Sequence, residues 1–403
     1  MKINLKVENI PIEMNNIKIN RIAFVMPWHI SERGGGSEVQ ANYLAQELTQ
    51  RNIEIHYICQ TTNKNKIRTT QSFKNVTIHW LKSSGRFPWL DQKKYKIALK
   101  SIQPELVIQR MSSNVTSVIG NYCKVNHIPF VWLCTDNKTP FTDFHFSKFK
   151  ERSTTKSLEI VKYMLFAISN KLMDYYRNKG MKLIDIAFNQ NDFQEEKLKN
   201  NYNLESQRMI SGHPLPKLKL SSLERFKKQT ILWCANFGAH KRPELFIELA
   251  SKMQHTNLKF VMVGGHSDLN YVNKLLKNKP KNLTITGKLS FEEALKYFDE
   301  ATLLINSSIS EGFSNTYIQA WLRGVPTVVF GADPDGIILN NNLGYNISVT
   351  DEAAQKIETL FNNYKSYKML SDNGYAYALK NHSIKKMTDN FLKQLVDEGI
   401  ALH

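Results

Sequence analysis

Ile22-Ala23-Phe24-Val25-Met26, ending at Pro27, and Ile231-Leu232-Trp233-Cys234-Ala235, ending near Gly238, decide the fold. Each is a short, unbroken apolar run bounded by turn formers, the pattern of a parallel strand buried on both faces. The segments after the two runs are also alike. After the first come Gly34-Gly35-Gly36 and Ser37, a cap for a helix whose Val39, Tyr43, Leu44 and Leu48 recur at helical spacing. After the second, Pro243 stands at a first helical position ahead of Leu245, Phe246, Leu249 and Met253. Both halves of the chain therefore open on a strand-loop-helix unit.

Outward from these units the pattern repeats. Glu54–Cys59, Leu106–Gln109 and Phe130–Cys134 read as further strands of the first half, and Lys259–Val263, Leu283–Thr286, Leu303–Asn306 and Pro326–Phe330 as those of the second. Helical stretches such as Phe291–Phe298 and Asn315–Arg323 separate them, which predicts an α/β chain of two doubly wound, Rossmann-like domains facing a cleft. The periodic pattern breaks at Pro214–Lys228. Domains of residues 1–215 and 216–385 are expected, with a C-terminal amphipathic helix, 386–403, joining the first.

The 403 residues, 42% apolar and 22% charged, suffice for two cores. Cys59, Cys123, Cys134 and Cys234 form no C-x-x-C pair, so neither a zinc knot nor a disulfide framework is indicated, and a reducing cytoplasm fits. Met1–Asn20 has no apolar core of a secretory signal, and no run approaches the 18 or so apolar residues of a membrane span. The net charge is +18, carried unevenly: residues 1–215 hold 31 Lys+Arg against 18 Asp+Glu, the remainder 23 against 18. Such a field attracts anionic lipid, nucleic acid or phosphorylated small molecules, or reflects nothing more than a lysine-rich composition. Residues 145–186 combine Lys148, Lys150, Arg152, Lys156, Lys162, Lys171, Arg177, Lys179 and Lys182 with Leu158, Tyr163, Leu165, Phe166 and Leu172. That mixture suits an anionic membrane surface, with a solvated helix pair as the alternative.

In open α/β sheets ligands sit beyond the carboxyl ends of the strands. This directs attention to Ser307-Ser308-Ile309-Ser310-Glu311-Gly312-Phe313-Ser314, a loop between a predicted strand and the helix near Asn315. Gly312 permits close approach, Ser314 can cap the helix, and Glu311 stands at the lip. By itself Glu311 could instead be a first-turn carboxylate opposing the helix dipole, the lesser reading of the two.

Residues 229–350 resemble the donor-binding domain of the family 4 retaining glycosyltransferases of the GT-B fold. Four stretches in family order carry the resemblance: Ala235–Pro243, Phe260–Gly265, Ile285–Leu289, and Ser310–Phe313 through Gly324–Pro326. The first half resembles the family through the Gly34–Gly36 loop, the Ser37-Glu38-Val39 helix start and the Ser211–Pro214 crossover. The resemblance implies that Lys241 binds the donor diphosphate, with Arg242 as a second cation, and that Glu311 positions hydroxyls of the transferred sugar. It also implies that the backbone of Phe313, Ser314, Asn315 and Thr316 faces the diphosphate and that Gly287, Lys288 and Leu289 border the nucleobase. Two family positions differ: a glutamate becomes Gln319, suited to a ribose hydroxyl, and an arginine becomes Asn236, which supplies no charge.

For the acceptor side, Gly34, Gly35 and Gly36 can approach acceptor or phosphate, or serve only a turn. The family histidine near the reacting sugar is replaced by Cys134-Thr135-Asp136-Asn137, where Asp136 is the candidate polar group. His29, His56, His127, His213, His240 and His266 make no ligand spacing, so no metal and no cofactor are expected. Asp333-Pro334-Asp335 is read as a turn or substrate-facing segment. The implied activity moves a sugar from a nucleoside diphosphate sugar to a glycan or lipid-linked acceptor in cell-surface polysaccharide synthesis, in the cytoplasm or at the membrane's inner face. A DNA-modifying transferase of the same fold, a sugar-nucleotide epimerase and a non-catalytic glycan-binding protein are the alternatives. Nucleic acid is disfavoured, because the basic residues are scattered without a reader motif.

Overall fold

The protein is described by a computed structural model covering residues 19–83, 92–153, 159–266 and 269–399. Two sheets form it. The first contains β1 (Arg21–Val25), β2 (Glu54–Thr61), β3 (Thr70–Phe73), β4 (Val76–Lys82), β5 (Leu106–Arg110), β6 (Phe130–Leu133), β7 (Ile186–Asn189) and β8 (Ser206–Arg208), in spatial order β3-β4-β2-β1-β5-β6-β7-β8. The second contains β9 (Thr230–Cys234), β10 (Lys259–Val263), β11 (Leu283–Gly287), β12 (Leu303–Asn306), β13 (Thr327–Val329) and β14 (Gly344–Asn346), in order β11-β10-β9-β12-β13-β14. All pairings are parallel except that of β3 with β4.

Both sheets are buried on two faces, and this explains the continuous apolar runs. Ile22 and Phe24 point into one core, with Leu44 and Leu48 of the helix Gly36–Gln50, while Ala23 and Val25 point into another with Leu99 and Ile119. In the second sheet Ile231 and Trp233 face Phe246 and Leu249, and Leu232 faces Tyr317 and Trp321. In each sheet the order reverses beside the first strand, between β1 and β5 and between β9 and β12. Loops leaving those strands diverge there and open a crevice.

The chain crosses between the sheets twice, and the crossings touch. His213 N donates to His382 O at 2.8 Å, and Gly212 lies so near Ile384 that a side chain there would meet its Cα at 3.0 Å. Beyond the second crossing the helix Ile384–Asp397 packs Met387, Phe391, Leu392 and Leu395 into the core of the first sheet. The expected break at Pro214–Lys228 is only partly irregular, since Ser221 and Glu224 form a capping box that starts a helix at Ser222–Lys228. Ser37 is not the cap of its helix: Gly35 holds that position without a side-chain bond.

Phe391 is fully buried with its ring centroid 5.2 Å from that of Phe188. Phe391→Ala should lower the unfolding free energy by about 3–5 kcal/mol in urea titrations. A loss below about 1 kcal/mol would show that the last helix is peripheral to the first domain.

Candidate active site at the interdomain cleft

The loops after β9 and β12 are stitched to one another by backbone and buried side chains. Ile309 N donates to His240 O at 2.9 Å, and Ser307 Oγ accepts from Trp233 Nε1 at 2.9 Å while donating to Lys241 O at 2.7 Å. This fixes the approach of Lys241 to Glu311. Lys241 Nζ donates to Glu311 Oε1 at 2.6 Å, as do Ser308 Oγ at 2.6 Å and Asn306 Nδ2 at 3.2 Å. All three donors converge on one oxygen, and no described residue donates to Oε2. Burial alone would raise the Glu311 pKa, but the Lys241 charge and these hydrogen bonds outweigh it and hold the carboxyl below its usual range. Glu311 is thus ionised, oriented and half used.

The carboxylate stands in the wall of a cavity of about 780 Å³ between the two sheets. Of the residues singled out in the sequence, Gly34, Gly35, Gly36, Asp136, Asn236, Lys241, Lys288, Leu289, Glu311, Phe313, Ser314, Asn315, Thr316 and Gln319 line it. Gln319 is buried in the wall with no hydrogen bond from its side chain among the described residues. Lys288 is exposed and likewise without a partner among them.

Three expected members do not line the cavity. Arg242 is corrected first: its Nε donates to Ser307 O at 2.7 Å and its Nη2 to Ser308 O and Phe330 O, so the guanidinium ties loops together and is no second cation of the cleft. Gly312 faces the other domain, where a Cβ would meet Gln190 Oε1 at 2.6 Å and Gln194 Nε2 at 2.7 Å. Gly287 ends β11 in a left-handed conformation, φ 76°, its carbonyl accepting from Gly264 N at 3.1 Å.

Other expectations are refined by geometry. Ser314 occupies the cap position of the helix Asn315–Trp321, yet its Oγ pairs with Thr316 Oγ1 at 2.9 Å rather than capping. Asp136 reaches the cavity, but its Oδ1 accepts from Lys138 N and Thr139 N, both at 2.9 Å, and so closes a turn. The segment Asp333-Pro334-Asp335 is a turn outside this cavity that lines a second one, of about 400 Å³, with Ser310 and Glu311: Asp333 caps Ile338 N, and Asp335 pairs with Arg208 of the first domain at 2.6 Å. At Gly36 a side chain would meet the Asn315 amide, Nδ2 at 2.8 Å, and displace it.

The cleft is closed by contacts across it. Asn191 Nδ2 donates to Gly312 O at 2.8 Å, Asn137 Nδ2 to Glu311 O at 3.1 Å, and Gln40 Nε2 to Asn315 Oδ1 at 2.8 Å. Amides of the first domain therefore hold the Glu311 loop by its carbonyls. The sequence did not point to Asn191, Gln40 or Arg110, the last a buried arginine at the end of β5 that lines the same cavity. Burial lowers the Arg110 pKa to about 10, so it stays charged at neutral pH. A charged residue closing an apolar run at a strand's carboxyl end was the available signal.

Among the described residues no group of three or more His, Cys, Asp or Glu is arranged to hold a metal ion. No helix there is long and apolar enough to cross a membrane.

Residues 217–377 match the family described as glycosyl transferases group 1. No curated protein matches the chain by sequence. Solved structures do match in fold. The Anabaena protein HepE, determined with UDP and glucose, superposes with a TM-score of 0.69 at 12% identity, covering 94% of this chain and 99% of that one. Sucrose-phosphate synthase from Thermosynechococcus elongatus gives 0.69 at 13% identity over 94% and 99%. A glycosyltransferase from Rickettsia africae gives 0.69 at 16% over 95% and 99%. Residues 217–377 thus match the group 1 glycosyl transferase family, in a chain with the two-domain GT-B architecture.

Proposed function

We propose that the protein is a retaining glycosyltransferase that moves a sugar from a UDP- or GDP-type donor to a glycan or lipid-linked acceptor, in cell-surface polysaccharide or glycoconjugate synthesis. The observation that carries this reading is Glu311: a carboxylate ionised beside Lys241, fixed through Oε1, with no described donor to Oε2, in the wall of a cavity at the point where the strand order reverses. A carboxylate with one oxygen held can accept hydrogen bonds from sugar hydroxyls without having to reorganise. Lys241, half exposed in the same wall, is the cation a donor diphosphate meets. HepE, solved with UDP and glucose, makes a uridine nucleotide the first donor to try.

In this reading the leaving diphosphate accepts the proton of the acceptor hydroxyl as the glycosidic bond breaks. No protein nucleophile is needed on the opposite face, consistent with an Asp136 whose Oδ1 is occupied by its own turn. Glu311 strengthens its hold on the sugar as positive charge develops, whereas Gln319 gives the ribose a contact of constant strength. Glu311→Gln should therefore lower kcat roughly tenfold to a hundredfold with little change in KM, and Gln319→Ala should raise donor KM roughly threefold to tenfold with kcat kept. Steady-state kinetics on both variants checks this. Full turnover in Glu311→Gln together with an unchanged KM in Gln319→Ala would remove this wall from the donor site.

Contact with a membrane is part of the same proposal. The helix Ile160–Met181 is anchored at its C-terminal end, where Asp174, Arg177, Gly180 and Met181 are buried, and carries Ile160, Val161, Met164, Leu165, Ile168, Leu172 and Tyr175 exposed by 42% to 78%. These positions fall on one stripe, with Lys162, Lys171 and Lys179 exposed beside it. Lys156 and Leu158, and the side chain of Arg152, lie outside the described residues. An apolar stripe edged by lysines matches the interface of an anionic bilayer better than water. In vesicle sedimentation the protein should bind anionic vesicles at low salt and release at high salt, and Ile168→Glu should abolish binding. No sedimentation with anionic vesicles would leave the helix a solvated one.

A further inference from the structure

Of three buried arginines in this protein, Arg110 has the fewest protein partners among the described residues. Arg177, fully buried, gives its guanidinium to Ser112 Oγ, Tyr202 OH, Asn178 Oδ1 and the carbonyls of Thr139 and Phe141. Arg225, 2% exposed, gives Nη1 to the carbonyls of Phe298, Asp299 and Ala301. Arg110, 4% exposed, has one hydrogen bond, from Nε to Ser37 Oγ at 3.1 Å. No described residue accepts from its Nη1 or Nη2, and Glu38, the carboxylate nearby, forms no ion pair with it. A buried cation with four of its five N–H groups unused is costly unless something absent from the protein chain completes it.

The place of Arg110 says what that is. It closes β5 beside β1, at the reversal point of the first sheet, and lines the cavity that Lys241 lines from the second domain. On the second domain's side the fixed positive charge falls short, Lys288 being exposed and held by no described residue. Asn236 has none, the Arg242 guanidinium is taken by carbonyls, and Lys241 is balanced by Glu311 at 2.6 Å. On the first domain's side Arg110 lies with Ser37 under the start of the 15-residue helix Gly36–Gln50, whose first amides add to its field. Gly36 O is in turn bound by Asn315 Nδ2 at 3.0 Å, so the closed cleft sets this corner against the loop of Glu311.

We propose that Arg110 is a ligand of the donor diphosphate, supplied by the facing domain in place of a cation on the donor domain itself. The inference rests on the donor-site reading above. Because the two cations sit on different domains, a diphosphate bridges the cleft and binding favours the closed arrangement.

The test is calorimetric titration of the full chain with UDP, GDP and ADP, followed by the tightest of the three against Arg110→Gln, Arg110→Lys and Lys241→Ala, with thermal unfolding of each ligand-free variant. Arg110→Gln should weaken the nucleotide roughly tenfold to a hundredfold, as for a charge-assisted contact, and Arg110→Lys should recover part of the loss. The ligand-free Tm of Arg110→Gln should stay equal or rise, because an uncompensated buried charge is removed. A Kd for Arg110→Gln within about twofold of wild type, beside a weakened Lys241→Ala, would overturn the Arg110 assignment and leave the donor site standing. A clear fall in ligand-free Tm would make Arg110 structural and equally overturn it. A wild-type protein that binds none of the three nucleotides would overturn both readings.

Discussion

A parallel sheet whose strand order reverses leaves the carboxyl end of its first strand uncovered, and both halves of this protein are arranged around that gap. In the second sheet the loops after β9 and β12 part at the reversal, and side chains of Trp233, Ser307 and Arg242 then bind them to one another. The result is that Lys241 and Glu311, distant in sequence, are pressed into a short ion pair at the edge of a cavity. Everything chemical in the site depends on that pair: it ionises the carboxylate, occupies one of its oxygens and sets the direction of the other.

The first domain completes the site electrostatically and mechanically. Asn137, Asn191 and Gln40 hold the Glu311 loop and Asn315 across the cleft, and Arg208 pairs with Asp335 at its margin. The Arg208–Asp335 pair is exposed and individually modest, the Asn137 and Gln40 contacts are half-buried, and the Asn191 bond is buried. The two crossings between the domains are likewise hydrogen-bonded and closely packed around Gly212.

Much of this was legible in the sequence because doubly buried strands announce themselves. Lys259–Val263 and Leu303–Asn306 have the limits their apolar runs predict, and the Ser307–Ser314 loop lies where the strand-to-helix pattern put it. The β3-β4 hairpin was not legible: its turn at Lys74-Asn75 takes left-handed φ values of 45° and 65° without a glycine to mark it. β8 and β14, three residues each, are too short for any period to show. Lys241 and Arg242 read as a pair of cations, but the left-handed backbone at Arg242, φ 45°, sends their side chains to different partners. Adjacency in sequence does not give direction. Arg110 was hidden for a related reason, since only the fold shows that the end of β5 faces the end of β9 across one cavity.

The claim that this cleft transfers sugars with retention is tested most directly by proton NMR of reactions with α-linked UDP-, GDP- and ADP-sugars, in which the anomeric proton of the first-formed product is followed. The account predicts that one donor is consumed and that its product, whether transferred or released to water, first appears as the α anomer. Consumption of no donor, or first appearance of the β anomer, would contradict it.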